Sequence, residues 1–303
     1  LVSPASGALT VSIPPSLEGT VSDPDSNSLQ VAFHGRPVLA PAPDFTIIVL
    51  PDTQNYSELF PATFTAQTQW IVGSKTARNI AYVAHVGDCV NHGDLNQFEW
   101  DNANASMSLL ENPGTTGLPD GLPYGIAVGN WDETPEGDPG TLANPGSTTI
   151  LFNQTFGVSR FQGRGYYGGH YGANNDNHYD LFSAAGMDFI VVYMEFAPGA
   201  SPLRTDELNW ANAVIQAHSN RRAIVVSHYI LEPQGIFGNQ GQAIYDALKG
   251  NPNLFLMLSG HLGEAGQRID TFGGNTIRTL LSDYQFLPNG GNVWLRILTF
   301  KPS

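Results

Sequence analysis

The sequence has little lysine, almost no cysteine and no long apolar segment. Only three of its 303 residues are lysine, and 13 Lys and Arg residues stand against 27 Asp and Glu, so the formal net charge is −14. Proteins that grip nucleic acid broadly carry a basic surface, so no strong nucleic-acid affinity is expected. No run reaches the about 18 apolar residues that span a bilayer, so no membrane segment is expected.

The single cysteine, Cys89, excludes an internal disulfide. We interpret its side chain as a small buried apolar group rather than a ligand. Charged residues make up only 13% of the chain, and such a surface, rich in Gly, Asn and Ser, favours a secreted or periplasmic protein. The first residue is Leu1 rather than Met, which fits a removed leader or a chosen boundary. The sequence does not indicate an oligomeric state.

Five apolar runs, each followed by metal-capable side chains, are the main positive feature of the sequence. The runs are 46–50, 80–86, 124–128, 222–226 and 254–258. They are continuously apolar, which is typical of strands covered on both faces. A side chain just past the carboxyl end of such a strand lies at the rim where α/β proteins bind ligands. The O and N donors found there suit a divalent transition metal, and they are Asp52, Gln54, Asp88, Asn130, His228 and His261.

The order of these blocks resembles the calcineurin-like metallophosphoesterase superfamily, whose pattern is D-x-H, G-D, G-N-H-D, a lone His and G-H-x-H. The resemblance covers about residues 45–300. It implies an α/β fold, a two-sheet β-sandwich flanked by helices in αββα layers. It also implies a metal-dependent phosphoester hydrolase, a phosphodiesterase or phosphatase that acts on a small phosphoester through a metal-bound hydroxide. The D-x-Q and incomplete G-H-x-H blocks are similar to a secreted microbial branch.

The resemblance also implies a ligand set for one or two metal ions, which would be Mn, Fe, Zn or Ni. The family's G-D aspartate bridges two ions, and here that residue is Asp88. The second implied site is complete and consists of Asp88, Asn130, His228 and His261. The first implied site, which is incomplete, would use Asp52, Gln54 and Asp88. Asp132 is expected to hold a ligand or a loop in place, and the catalytic residues predicted are Asp88, Asn130, Asp132 and His170.

Three positions depart from the family pattern. Gln54 stands where a His is common, and Gly263 stands at the second His of G-H-x-H. Trp131 occupies the place of the histidine that contacts the phosphate or protonates the leaving group. Because the indole of tryptophan cannot transfer a proton in the physiological pH range, we expect reduced activity and a preference for diesters or activated monoesters.

The sequence offers residues that could replace the missing metal ligand and the missing proton donor. Asn91 or His92, which follow Asp88 closely in the sequence, could complete the first site, and His92 or His170 could supply the missing proton. Two other functions also remain open. One is a degenerate scaffold that keeps one metal for ligand binding or structure. The other is a hydrolase of non-phosphate esters.

The domain organisation follows from a change of pattern near residue 40. Residues 1–40 alternate like half-buried strands and predict a short immunoglobulin-like β segment, and a proline-rich linker (37–43) leads into the main domain, 41–303. Helices are predicted over 61–77, 96–110, 205–218 and 242–248, the second with Phe98, Ala105 and Leu109 on one face.

The later loops and the end of the chain complete the predictions. Residues 163–180 are either a packed hairpin or a phosphate- or sugar-binding loop that uses His170, Tyr171 and Asn175. Two closing strands near 280–285 and 289–296 are predicted, joined by a Gly-rich turn.

Overall fold

The computed structural model describes residues 42–93, 96–134, 148–196 and 205–302, together with positions 19, 20, 22 and 24. By its internal contacts the chain divides into two units, Leu1–Ala40 and Pro41–Ser303. The predicted immunoglobulin-like segment falls almost wholly outside the described residues and stays a prediction.

The strands of the second unit form two mixed sheets. In chain order they are β1 (Phe45–Leu50), β2 (Ile80–His85), β3 (Tyr124–Ile126), β4 (Tyr167–His170), β5 (His178–Ala184), β6 (Met187–Met194), β7 (Arg222–Ser227), β8 (Leu254–Ser259), β9 (Glu264–Phe272), β10 (Asn275–Asp283) and β11 (Arg296–Phe300). The first sheet has the order β11-β1-β2-β3, and the second has the order β4-β5-β6-β7-β8-β10-β9. β1, β2 and β3 are mutually parallel, as are β6, β7, β8 and β10.

Helices lie in the connections between these strands. They are α1 (Gln54–Leu59), α2 (Pro61–Arg78), α3 (Gln97–Ser108), α4 (Pro113–Thr116), α5 (Ile150–Phe156), α6 (Val158–Phe161), α7 (Thr205–Ala217), α8 (Asn239–Leu248) and the short turn α9 (Pro288–Gly291). A 3₁₀ turn, Leu109–Glu111, extends α3. Among the described residues, no helix combines the length and apolarity needed to cross a bilayer.

The two faces of β1 show why its sequence is continuously apolar. Ile47 and Val49 pack in the core between the sheets, with residues of β6 and β7. Ile48 and Leu50 point the other way and pack with α2, α3 and α5. A third core fills the outer face of the second sheet under α7 and α8. Both faces of the central strands are therefore covered, and the predicted two-sheet sandwich flanked by helices is confirmed.

Two local predictions are wrong. In α3, Phe98 is 49% exposed and Ala105 is exposed, because the helix buries the stripe Trp100, Ala103 and Met107 instead. The second closing strand does not lie at 289–296, because Pro288–Gly291 forms the turn α9 and the last strand, β11, is Arg296–Phe300. β10 pairs with β8 and β9 in the second sheet, whereas β11 pairs with β1 in the first, so the chain crosses between sheets after β10. Of the two alternatives left open for 163–180, the hairpin is present as antiparallel β4 and β5, and the binding role stays a prediction.

Six strands deliver side chains to one edge of the sandwich. β1, β2 and β3 end beside β7 and β8, as the contact between Asp88 after β2 and His228 after β7 shows. β10 runs parallel to β8, so its carboxyl end, at Asp283, reaches the same edge. That sixth strand end was not predicted to belong to the site.

Candidate metal centre

The residues predicted for the complete site lie together. Ligand atoms of Asp88, His228 and His261 lie within 4.8 Å of one another, and all three residues are buried. His228 Nε2 is 2.9 Å from Asp88 Oδ2 and 3.2 Å from His261 Nδ1. Asn130 Oδ1 is 3.1 Å from His261 Nδ1. Four chain segments that are distant in sequence thus supply a compact N and O donor set with the composition that transition metals prefer.

The hydrogen bond behind His228 determines which way its lone pair points. Its Nδ1 lies 2.9 Å from the carbonyl oxygen of Val86, and a carbonyl can only accept, so Nδ1 carries a proton. In a neutral ring Nε2 then presents its lone pair to the Asp88 carboxylate, and two acceptors at that distance repel each other. A cation or a proton between them removes the repulsion. Histidines that bind metals usually donate their other N–H to a carbonyl in this way.

The two histidines differ in their electrostatics. Burial by itself lowers the pKa of His228, but the charge and hydrogen bond of Asp88, the hydrogen bond to the Val86 carbonyl and the charge of Asp132 together outweigh it, so the net pKa is raised. For His261, burial and then the neighbouring His228 lower the pKa to about 3. His261 is therefore in the neutral form that binds a metal.

The backbone at this centre is held in an uncommon conformation. Asp88 has φ +52° and His261 has φ +77°, values that non-glycine residues seldom adopt. Such conformations persist where surrounding contacts over-determine them, often at ligand sites. The loop after β3 packs tightly against Asp88, because a Cβ atom added at Gly129 would lie 2.0 Å from Asp88 Oδ1. Only glycine fits at that approach.

Asp132 ties two of the strand-end loops together. Its buried carboxylate accepts hydrogen bonds from the backbone N–H groups of Cys89 (2.7 Å), Val90 (3.3 Å) and Gly129 (2.9 Å). This arrangement suits the loop-holding role predicted for it. Cys89 is fully buried in the core, as its interpretation as an apolar residue requires.

His85 supports the loop after β1. It accepts from the Gly87 N–H at Nδ1 (3.1 Å), so Nε2 carries the proton in the neutral ring and donates to Thr53 Oγ1 (2.9 Å). The Thr53 N–H in turn donates to the Asp88 carbonyl (3.0 Å). Burial and then the charge of His228 lower the pKa of His85 to about 3, so the ring stays neutral.

The residues predicted for the incomplete site lie beside this centre. Asp52 is buried, and burial, then Asp283 and then Asp88, raise the pKa of its carboxyl group. Its Oδ1 accepts from the Gln54 N–H (3.1 Å), and its Oδ2 accepts from Gln285 Nε2 (2.9 Å). Gln54 Oε1 is buried with no hydrogen-bond partner among the described residues. A buried orphan acceptor beside carboxylates fits a cation site.

Sequence analysis missed Asp283 and Gln285. Gln285 Nε2 lies 3.0 Å from Asp283 Oδ2, so this one amide contacts the carboxylates of both Asp52 and Asp283. The missed signal was the same pattern seen five times elsewhere, a buried strand that ends in a metal-capable side chain.

The other predicted residues have different surroundings. Asn91 Nδ2 donates to Glu58 (2.8 Å), and His92 Nδ1 lies 3.0 Å from Glu99 Oε1. These contacts do not favour a repair of the first site by Asn91 or His92. His170 Nδ1 lies 3.1 Å from the Tyr167 hydroxyl, and His170 is not among the residues that line the opening described next. Its catalytic role stays a prediction.

A pocket of about 270 Å³ opens over the centre. Trp131 and Phe286 supply its aromatic walls, and polar side chains supply the rest. The lining residues are Gln54, Asn55, Asn91, Trp131, His261, Gln285 and Phe286. None of these is lysine or arginine.

Comparison with known proteins supports the fold. No protein-family model matches the chain. The uncharacterized protein YvnB of Bacillus subtilis (strain 168) is 34% identical over 275 residues, which are 88% of this chain and 20% of that protein. The chain thus spans about a fifth of that relative's length.

Two solved structures are similar over most of the chain. A dimetal phosphatase from Danio rerio is 14% identical with a TM-score of 0.52, over 87% of this chain and 100% of that one. A purple acid phosphatase from yellow lupin (Lupinus luteus) seeds is 14% identical with a TM-score of 0.54, over 86% and 50%. Similarity at this identity shows the fold, and the motif order agrees with it: the chain has the fold of the calcineurin-like metallophosphoesterase superfamily.

Proposed function

We propose that the chain is a metal-dependent phosphoester hydrolase that prefers diesters and activated monoesters. The observation that carries the proposal is the buried group Asp88, His228 and His261, whose ligand atoms lie within 4.8 Å of one another. With Asn130, these residues would hold a metal ion. When bound, such an ion lowers the pKa of a coordinated water towards about 7 and polarises the phosphoryl oxygen.

The charge around the pocket supports a diester substrate. The pocket is lined by no lysine or arginine, and the buried carboxylates Asp52, Asp88 and Asp283 lie next to it. Because like charges in a buried region repel strongly, a singly charged diester is favoured over a doubly charged monoester. The aromatic faces of Trp131 and Phe286 suit a flat organic group on the ester.

Metal content and hydrolysis, measured on the same purified sample, test the proposal. We expect about two metals per chain and turnover of bis-(4-nitrophenyl) phosphate faster than of 4-nitrophenyl phosphate. One retained metal without turnover, after addition of Mn²⁺, Zn²⁺ or Fe²⁺, would instead support a degenerate scaffold. Gln54, Trp131 and Gly263, the three departures from the family pattern, support this alternative.

Replacing Trp131 tests whether the lack of a general acid limits the turnover of esters with poor leaving groups. The backbone N–H of Trp131 donates to Asp88 Oδ1 (2.9 Å) and its side chain lines the pocket, so a histidine there would reach the substrate. A general acid contributes about 10²–10⁴-fold. We expect Trp131→His to raise the turnover of alkyl esters relative to 4-nitrophenyl esters by at least about tenfold.

The matched control for this variant is Trp131→Phe, which keeps an aromatic ring and adds no acid. It should leave the ratio of alkyl to 4-nitrophenyl turnover unchanged. If Trp131→His also leaves the ratio of alkyl to 4-nitrophenyl turnover unchanged, the lack of a general acid is not the cause of the preference for activated esters.

The proposed setting is a secreted or periplasmic one, with a small phosphoester as the partner. Composition supports it, through the net charge of −14 and the low share of charged residues.

A further inference from the structure

The place of the family's missing histidine is filled by another residue. A Cβ on Gly263 would lie 2.1 Å from Cδ2 of Phe286, so the Phe286 ring occupies the space into which a side chain at that position would grow. The absence of the histidine is therefore coupled to the loop after β10, which places Phe286 there.

The same loop brings the neighbouring residue, Gln285, into the incomplete site. Its amide nitrogen contacts the carboxylates of Asp52 (2.9 Å) and Asp283 (3.0 Å). Its carbonyl oxygen accepts from the side chains of Gln54 and Asn55. Gln285 is 4% exposed, Asp52 1% and Asp283 0%. Such buried convergence of oxygen-bearing side chains is unusual unless something favourable lies among them.

The charges at this point are unbalanced. The carboxylates of Asp52, Asp88 and Asp283 are all buried. The partners described for Asp52 and Asp283 are amides and backbone N–H groups, and none is a lysine or an arginine. Gln54, which is 7% exposed, directs an unpartnered Oε1 into the same buried region. Buried charges are normally paired or bind metals.

We propose that the end of β10 replaces the missing histidine and makes the first site an all-oxygen site for a hard divalent cation, Mn²⁺ or Mg²⁺. The oxygen donors come from Asp52, Gln54, Asp88 and Asp283, and from Gln285 after its amide, whose nitrogen here faces Asp52 and Asp283, rotates by 180° on cation binding. This inference rests on the proposed function, because it concerns the same centre.

The donor chemistry separates the two sites. Carboxylate and amide oxygens suit Mg²⁺ and Mn²⁺, whereas imidazole suits Zn²⁺ and Fe²⁺. The second site keeps the two histidines His228 and His261, and the first site has none. The two sites of one chain are therefore expected to hold different metals when both metals are supplied.

The test uses the full chain, stripped of metal with a chelator and then given one equivalent of Zn²⁺ and an excess of Mn²⁺. Bound metal is counted by elemental analysis, and bound Mn²⁺ is detected by electron paramagnetic resonance. We expect one Zn²⁺ and one Mn²⁺ per chain. Gln285→Leu and Asp283→Asn should each weaken Mn²⁺ binding at least about tenfold and leave Zn²⁺ in place.

Two further variants control for folding and for the nature of the substitution. Gln267→Leu makes the same change at an exposed position of β9 and should leave both metals bound. Gln285→Glu keeps an oxygen donor and should retain Mn²⁺. Thermal unfolding in chelator checks that each variant is folded.

Each other outcome has a definite meaning. If Gln285→Leu and Asp283→Asn both retain Mn²⁺ with unchanged affinity, the inference is overturned while the proposed hydrolase stands. If the wild-type chain retains Zn²⁺ but no Mn²⁺, the all-oxygen site is overturned. If the wild-type chain binds no metal at all, the proposed function falls as well.

Discussion

Asp88→Asn is expected to remove metal binding and phosphoester turnover together. Asp88 Oδ2 lies 2.9 Å from His228 Nε2, and its Oδ1 accepts the Trp131 N–H, so this one carboxylate joins the centre to the loop after β3. An amide lacks the negative charge and could turn a donor toward the site. Because removing a residue that merely supports a ligand costs about 10–100-fold in metal affinity or activity, removing the predicted bridge should cost more than about 10²-fold in kcat/KM.

The matched control is Asp101→Asn, which makes the same change at an exposed position of α3. It should leave metal content and turnover unchanged. Unfolding in chelator should show Asp88→Asn to be folded, because the substitution removes one of several buried like charges. Two bound metals and near wild-type turnover in Asp88→Asn would contradict both the bridge and the proposed function.

Gly129→Ala is expected to disrupt the same centre through packing alone. The new Cβ would lie 2.0 Å from Asp88 Oδ1 and 2.4 Å from the Asp88 backbone nitrogen. Neither can move freely, because Asp88 is buried in a strained loop with φ +52°. Overpacking of this kind costs about 1–3 kcal/mol or more, and each kcal/mol lowers Tm by about 2–4 °C in a domain of about 200 residues.

Gly73→Ala is the matched control, since a Cβ on Gly73 in α2 meets no atom within 4 Å. In a helix the change from Gly to Ala stabilises by about 0.5–1 kcal/mol. Thermal unfolding of both variants, together with metal content, separates the two effects. A Gly129→Ala variant with unchanged Tm and two bound metals would contradict the close approach described for Gly129.

Local sequence determined the sandwich and the residues at five of its strand ends. A strand covered on both faces must be apolar throughout, so β1, β7 and β8 were recognisable from composition alone. The chain must turn at the end of each strand, so the polar side chains that follow were assignable to one rim. Helix α3 was less predictable, because several faces of its sequence could be buried and only packing selected Trp100 and Met107.

Only the tertiary structure decided how the incomplete site is built. β10 is inserted between β8 and β9 and runs parallel to β8, and this sheet order brings Asp283 and Gln285 to Asp52, which is distant in sequence. The Phe286 ring over Gly263 likewise depends on where the loop after β10 runs. The sequence by itself therefore determined which strands end in metal-capable side chains. The tertiary structure decided which of those ends meet, because sheet order depends on long-range packing rather than on local pattern.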